Sequence, residues 1–281
     1  MRYSKTILFL IIIGLAVLSL VGADAPRGAF LGELTWPEAE VRLKEAPLVI
    51  VPFGAGAKEH GPHLPMNADA KVAEYLCQKA VAALPVVVVP PVRHGWFPAF
   101  RDYPGTEIAD GDVFRRFIYE IAKSLIKNGA KRIVFLNTGI FKATGLPLAM
   151  VAREIRVEYR IPALVVSWDD LEDKEIEKLQ EQKIGGHADE IETSIHLFLQ
   201  PHLVQMEKAV PDYGKPVKKD YAGYRPGLFS RNPGDPAYSK TGLLGDPTKA
   251  TAEKGKKALD IMTANFIKIL AGFAASSCPT G

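Results

Sequence analysis

The chain has 281 residues, of which 47% are hydrophobic and 24% charged, and its formal net charge is +3. This composition allows a large buried core, in one domain or two. Because the net charge is small and the lysines are scattered along the chain, the composition does not indicate a nucleic-acid-binding protein.

The N-terminus has the pattern of a secretory signal peptide. Arg2 and Lys5 precede a charge-free apolar run, residues 7–22, which ends in small residues before Ala23. This order is typical of a cleaved signal, and the run is slightly short for a membrane span of about 20 residues. We therefore predict a signal peptide over 1–23, an exported protein without a stable membrane anchor, and one mature domain over 24–281. An uncleaved anchor is the alternative.

Strands and helices are predicted to alternate along the mature chain. Thr35, Pro37 and Glu38 indicate the start of a first helix. Apolar runs bounded by Pro or Gly predict strands at 47–53, 85–90, 133–136 and 163–168. Apolar residues at helical spacing predict helices at 69–84 and 112–127 and a further helix that continues to 155. After these we expect a charged helix that ends at Gln182, a helix through 197–199 and a last helix with apolar residues up to 270. This alternation predicts an α/β fold with three layers, α/β/α, around a mostly parallel central sheet.

The two cysteines do not define a disulfide framework. Cys77 lies on the apolar side of a predicted helix, so we expect it in the core. Cys278 lies in a tail of small residues, and a bond between the two is left open.

Polar side chains follow the first predicted strand. Glu59, His60 and His63 lie in a loop rich in Gly and Pro, and Asp69 follows at the start of the next helix. Open α/β sheets bind ligands at the carboxyl ends of their strands, and imidazole with carboxylate suits Zn or Mn. Asp69 could instead cap the helix. Because His60 lies in a loop, we expect its side chain to add little to the core.

A second polar stretch begins at two glycines, Gly185 and Gly186. His187 comes just before a predicted helix that carries Glu192 and His196, four residues apart and so on one helix face. His187 could converge with Glu192 on a common point. A surface Glu–His pair is the alternative interpretation.

The connector at 92–110 is longer than a strand-to-helix loop requires, which favours a functional role. Its aromatic residues Trp96, Phe97 and Phe100 could line a pocket for a flat ligand or pack beneath the loop. We predict a substrate pocket lined by four side chains: His63, Trp96, Asn137 and Trp168.

Several of these motifs, taken in order, resemble the creatininase (creatinine amidohydrolase) family. The matching segments are His60-Gly-Pro-His-Leu-Pro65 with Asp69, Tyr103-Pro-Gly-Thr106, His187-Ala188 with Glu192-Thr-Ser194, and the Gly245-Asp-Pro segment. The resemblance runs from about Trp36 to the final helix. It implies a creatininase-like fold, a homo-oligomer, and a two-metal centre that activates a bridging water. By the same resemblance His60 would bind metal, Asp69 would bridge, His187 would move protons and Glu192 would support or ligate the centre.

The chain departs from the family pattern at three positions. Lys58 stands where relatives have a Glu, so either that ligand is lost or a one-residue shift of the loop lets Glu59 take its role. Gly139 and Phe141 stand where a His and a Glu are expected after the third strand. Two ions close together need several carboxylates, and an inward-pointing Lys58 would add positive charge. We therefore predict one Zn or Mn ion per chain, held by residues from the set Glu59, His60, Asp69 and Glu192, with His187 and Glu192 as the catalytic residues.

The sequence thus favours an exported metal-dependent hydrolase. We expect it to act on a C–N bond of a cyclic amide, formamide or similar small molecule through a metal-activated water. One alternative is a binding or scaffold protein that keeps the fold without catalysis. Another is metal-independent acid–base chemistry through His187 and Glu59.

Overall fold

The computed structural model describes residues 27–139, 141–213, 231–234 and 238–277. The predicted signal peptide, Cys278 and much of the predicted loop region 210–245 lie outside these residues.

Five parallel strands form one sheet in the order β1-β3-β2-β4-β5. They are β1 (Ala29–Phe30), β2 (Val49–Phe53), β3 (Val87–Val88), β4 (Ile133–Asn137) and β5 (Ala163–Ser167). The predicted parallel sheet is confirmed. Strand β3 is shorter than its apolar run because prolines, which cannot donate to a strand ladder, stand at 85 and 90. Strand β1 was not predicted, because two residues carry too little pattern.

Eight α-helices are described. They are α1 (Trp36–Glu45), α2 (Ala68–Ala83), α3 (Gly111–Lys127), α4 (Phe141–Tyr159), α5 (Trp168–Leu171), α6 (Lys174–Glu177), α7 (Glu190–Leu199) and α8 (Ala252–Ala275). Thr35 and Glu38 form a capping box at α1, as the sequence indicated. The predicted charged helix to Gln182 is instead the two short helices α5 and α6, because Asp173 starts a new helix as the N-cap of α6.

Helices cover both faces of the sheet, which confirms the three-layer prediction. Alternate strand residues point to opposite faces, so Ile50 and Val51 lie in different cores. One core is filled by α2, α7 and α8, and the other by α1, α3 and α4. Cys77 is buried in the first, as expected, and burial raises the pKa of its thiol to about 12.

Helix α8 is long and apolar enough to cross a membrane by composition. One side of it, with Leu259, Met262 and Phe266, is fully buried in the core against the sheet. Packing within the fold accounts for the apolar residues of this side, which belong to the 28% of the apolar window that is buried.

The centre of the sheet positions the polar loops. Strands β2 and β4 end in register, with Phe53 opposite Asn137. Thr138 then donates its N–H to Phe53 O at 3.0 Å and its hydroxyl to Asp69 O at 2.8 Å. The loop after β2, the start of α2 and the segment after β4 consequently meet at one point.

Candidate metal centre

The loop after β2 is folded inward. Lys58, Glu59, His60 and His63 are all between 1% and 7% exposed. The loop is held by backbone bonds from Lys58 N to Met66 O and from Glu107 N to Ala57 O, and Thr106 Oγ1 accepts from Glu59 N at 3.1 Å. The expectation that His60 would add little to the core is wrong, because its imidazole is 1% exposed.

Hydrogen bonding fixes the ring of His60. Its Nδ1 lies 2.8 Å from Lys58 O, an acceptor, so Nδ1 carries the proton of the neutral ring. Nε2 then faces Asp69 Oδ1 at 3.0 Å and Glu192 Oε1 at 3.4 Å. A lone pair directed at two carboxylates requires a cation between them, either a proton or a metal ion.

The pKa of His60 reflects these neighbours. Burial and the Lys58 charge lower it, but the carboxylates of Asp69 and Glu192 outweigh both and raise the pKa to about 9. The same attraction acts on Glu192: burial raises its pKa, and His60 and His187 hold it well below the usual range.

Asp69 lies inside helix α2. Asn67 is the N-cap, so the alternative capping role for Asp69 is wrong. Its carboxylate is 2% exposed, with Oδ1 in hydrogen-bond contact with His60 and Oδ2 in an ion pair with Lys58 Nζ at 2.8 Å. Among the described residues, Oδ2 accepts no hydrogen bond. Burial raises the pKa of this carboxyl, and the charges of Lys58 and His60 lower it by more.

Glu59 orients His187. His187 Nε2 lies 3.0 Å from Glu59 O and 3.1 Å from Glu59 Oε2, so Nε2 carries a proton and donates to Glu59. The ring of Phe100 lies against His187 with centroids 4.4 Å apart. These contacts hold His187 in one orientation beside His60, whose ring centroid is 5.1 Å away.

Glu192 comes from the first turn of α7. Asp189 is the N-cap and accepts from the N–H groups of Ile191 and Glu192. Ala188, in the left-handed region at φ 48°, directs its N–H to Glu192 Oε2 at 2.6 Å. A non-glycine residue in this region is held there by its surroundings, which are here the site itself.

Three residues converge on one point. One ligand atom each from His60, His187 and Glu192 lies within 4.8 Å of the others. Two imidazoles and a carboxylate, with a position left open, are a donor set of catalytic zinc sites. Glu59 and Asp69, also assigned as ligands from the sequence, lie beside this group: Glu59 holds His187, and Asp69 is bound by His60 and Lys58.

Gly139 faces the same centre from the end of β4. A Cβ added there would lie 3.3 Å from Asp69 Oδ2, so the position is within reach of the carboxylate but supplies no ligand. Phe141 begins α4. At the three positions where the family resemblance leads us to expect Glu, His and Glu ligands, this chain therefore has Lys58, Gly139 and Phe141.

The four predicted pocket residues lie in different surroundings. His63 Nε2 is 2.8 Å from Thr193 Oγ1, and burial lowers the pKa of His63 to about 4. Asn137 is buried and accepts from Gly139 N at 3.2 Å. Trp96 packs on Gly111, and Trp168 donates to Glu172 Oε1 at 2.6 Å. His63 thus contacts helix α7 and Asn137 the segment after β4, while the contacts of the two tryptophans are to Gly111 and Glu172.

Two supporting contacts were missed from the sequence. The ring of Phe100 on His187 and the N–H of Ala188 on Glu192 both depend on the tertiary fold. The left-handed Ala188 carries no sequence signal, because alanine has no preference for that conformation.

The fold and the site define an α/β protein with a candidate metal centre at the carboxyl ends of its parallel strands. The chain belongs to the creatininase family: the family model for creatinine amidohydrolase matches residues 32–270.

Curated relatives span most of the chain. Creatinine amidohydrolase of Pseudomonas putida is 28% identical over 84% of this chain and 93% of its own. Mycofactocin precursor peptide peptidase of Mycolicibacterium smegmatis is 30% identical over 75% of this chain and 79% of its own. Both names, amidohydrolase and peptidase, describe hydrolysis of C–N bonds.

Solved creatininase structures share the fold. One is 25% identical, covers 89% of this chain and 99% of its own, and superposes with a TM-score of 0.74. The similar structures include a manganese form and a mutant of Zn–Zn type.

Proposed function

We propose that this protein is an exported metal-dependent hydrolase that cleaves a C–N bond in a small molecule of cyclic amide or formamide type. The observation that carries the proposal is the convergence of His60, His187 and Glu192, in a chain of the creatininase family. Membership of a family with C–N hydrolases supports the reaction class, and the signal-peptide pattern supports export.

The donor set fits one ion. His60 presents Nε2, and Glu192 presents a carboxylate with 14% of its side chain exposed. Nitrogen and oxygen donors suit Zn or Mn. Such an ion, when bound, lowers the pKa of a water molecule and polarises a carbonyl.

Proton transfer would be carried out by His187, which Glu59 holds in one orientation. His187 donates Nε2–H to Glu59, which directs its Nδ1 toward Glu192 Oε2, 3.8 Å away. We assign this Nδ1 to proton transfer and leave the ion to His60 and Glu192, so that His187 passes a proton between the site and a leaving nitrogen. Burial of the centre by Phe97 and Phe100, both at most 3% exposed, keeps bulk water from the inner side.

The test combines metal content with turnover. Protein purified without a polyhistidine tag should retain Zn or Mn and hydrolyse members of a panel of cyclic amides and N-formyl compounds. His187→Gln should reduce turnover by about 10²–10⁴-fold with folding intact, which is the range for loss of general acid–base catalysis. His202→Gln, at an exposed histidine, is the matched control.

A second candidate function is supported by one specific observation. The buried pair of Lys58 and Asp69 uses a carboxylate that relatives are expected to give to metal. A protein with this pair that retains no metal and hydrolyses nothing, but binds the same small molecules, would be a binding protein on the creatininase fold.

Export is tested separately. Protein recovered outside the cytoplasm should begin after Ala23 on N-terminal sequencing. An intact Met1 in that fraction would contradict signal cleavage.

A further inference from the structure

Lys58 is a buried charge at the centre of the candidate site. Its side chain is 3% exposed, and its Nζ lies 2.8 Å from Asp69 Oδ2. The ammonium also lies over the rings of Phe97 and Phe100, 5.8 and 5.3 Å from their centroids. A lysine is almost never fully buried unless it is paired, so this position needs a reason.

The two oxygens of Asp69 have different partners. Oδ1 faces His60 Nε2 at 3.0 Å, on the side where His187 and Glu192 converge. Oδ2 faces the ammonium of Lys58 on the other side. A carboxylate that bridges two ions presents one oxygen to each, and here one of those two positions is taken by the lysine.

On the Lys58 side of Asp69, no side chain occupies the position where the family resemblance leads us to expect a His ligand. Gly139 is the backbone position that faces Oδ2, and it carries no side chain. A cavity of about 10 Å³ lies beside it, lined in part by Phe97, Asn137 and Gly139. Among the described side chains, Lys58 is the one that forms an ion pair with Oδ2.

We propose that the ammonium of Lys58 is a built-in cation that takes the place of a metal ion beside Asp69 Oδ2. It neutralises the carboxylate, and its charge repels a second cation at short range. The centre then has room for at most one ion, on the side of His60 and Glu192. This inference deepens the proposed function and rests on it for the role of that one ion.

The decisive comparison is metal stoichiometry in three proteins. Each is loaded with Zn, dialysed against metal-free buffer and analysed for bound metal per folded chain. Gly139→His adds a ligand within reach of Asp69 but keeps the ammonium, so it should bind no more ions than the wild type. Lys58→Glu with Gly139→His replaces the ammonium by a carboxylate, so it should gain one equivalent over Gly139→His alone.

Three results would overturn the proposal: two equivalents in the wild type, a second equivalent in Gly139→His alone, or no gain in the folded double variant. If the double variant does not fold, the position of the bound ion in the wild type decides. Crystals soaked in Mn should show no anomalous peak beside Asp69 Oδ2, and a peak there would refute the role of Lys58.

The same samples separate this inference from the proposed function. One ion in the wild type without turnover on the substrate panel would refute the hydrolase and leave the role of Lys58 standing. Two ions in the wild type together with turnover would refute the role of Lys58 and leave the hydrolase standing. A wild type without metal would refute a metal-dependent reaction, and the gain between the two variants would still decide on Lys58.

Discussion

His60 is held by charge and burial together. Its imidazole is 1% exposed and touches two carboxylates, those of Asp69 and Glu192, as well as the carbonyl of Lys58. His60 stabilises the fold in addition to binding an ion, because its removal leaves Asp69 Oδ1 and Glu192 Oε1 without the imidazole that they face. Binding and stability are therefore linked at this residue.

We predict that His60→Ala loses most of its bound metal and about 3–5 kcal/mol of stability, the usual cost of breaking a buried charge pair. Elemental analysis and urea unfolding measure the two effects. His202→Ala, at an exposed histidine, should change neither. Equal metal content in His60→Ala and wild type would remove His60 from the ligand set.

Two other buried histidines predict a loss of stability in acid. Burial lowers the pKa of both His63 and His196 to about 4, against an ordinary value of 6.5. Between these pH values the unfolded chain binds protons that the folded chain does not. The free energy of unfolding should therefore fall as the pH drops from about 6.5 to about 4, by up to about 1.4 kcal/mol per pH unit for each histidine.

Urea unfolding at intervals across this pH range measures the slope. The substitution His196→Gln removes one of the two histidines and should reduce the slope by the contribution of one proton, up to about 1.4 kcal/mol per pH unit. The same slope in that variant would show that His196 does not contribute.

At the scale of elements, the contact between α7 and α8 supports the position of Glu192. Helix α8 comes so close to α7 at Gly255 that an added Cβ would overlap the carbonyl of Ser194. Ser194 Oγ also accepts from Thr251 N at 3.1 Å, just before α8 begins. Because α7 carries Glu192 in its first turn, this close approach fixes the distance of a candidate ligand from the sheet.

We predict that Gly255→Ala destabilises the protein by about 1–3 kcal/mol, as overpacking does, and weakens metal binding by moving α7. Thermal unfolding and metal titration measure these effects. The matched control is Gly272→Ala in the same helix, where an added Cβ meets nothing within 4 Å. That change should raise stability by up to about 1 kcal/mol through helix propensity. Similar destabilisation in both variants would contradict the role of the contact.

At the scale of the whole molecule, two hydrophobic cores cover the two faces of the sheet, and some large apolar side chains remain exposed outside both cores. On α3 and α4, which pack together in one core, Phe117 is 54% and Leu146 58% exposed. Exposed apolar side chains of this size favour burial against a second copy. They agree with the homo-oligomer that the family resemblance implies, which we keep as a prediction.

Sedimentation of the mature protein should show a particle of more than one chain. Phe117→Lys with Leu146→Lys should lower the mass of that particle, since charges at a buried interface are costly. A single-chain particle in the wild type would contradict the oligomer.

Local sequence patterns determined the architecture and the location of the site. Apolar β-branched runs specify buried strands, and helical spacing between them specifies the covering layers, because each pattern follows from the geometry of its own element. The loop after β2 and the start of α7 were recognisable from local sequence as well: His60 and His187 each lie next to a glycine at an element end, and Glu192 lies in the first turn of the helix that follows His187.

The tertiary structure alone decided which partner each of those side chains has. Glu59 and His187, which are 128 positions apart, form one hydrogen-bonded pair, so Glu59 orients a histidine. Asp69 turns from helix α2 toward His60 on one side and Lys58 on the other. Each of these choices depends on which charges meet after the strands align, and in a buried site of low dielectric constant the nearest opposite charge takes the available oxygen. No spacing within one segment contains that information, because the competing partners come from different elements.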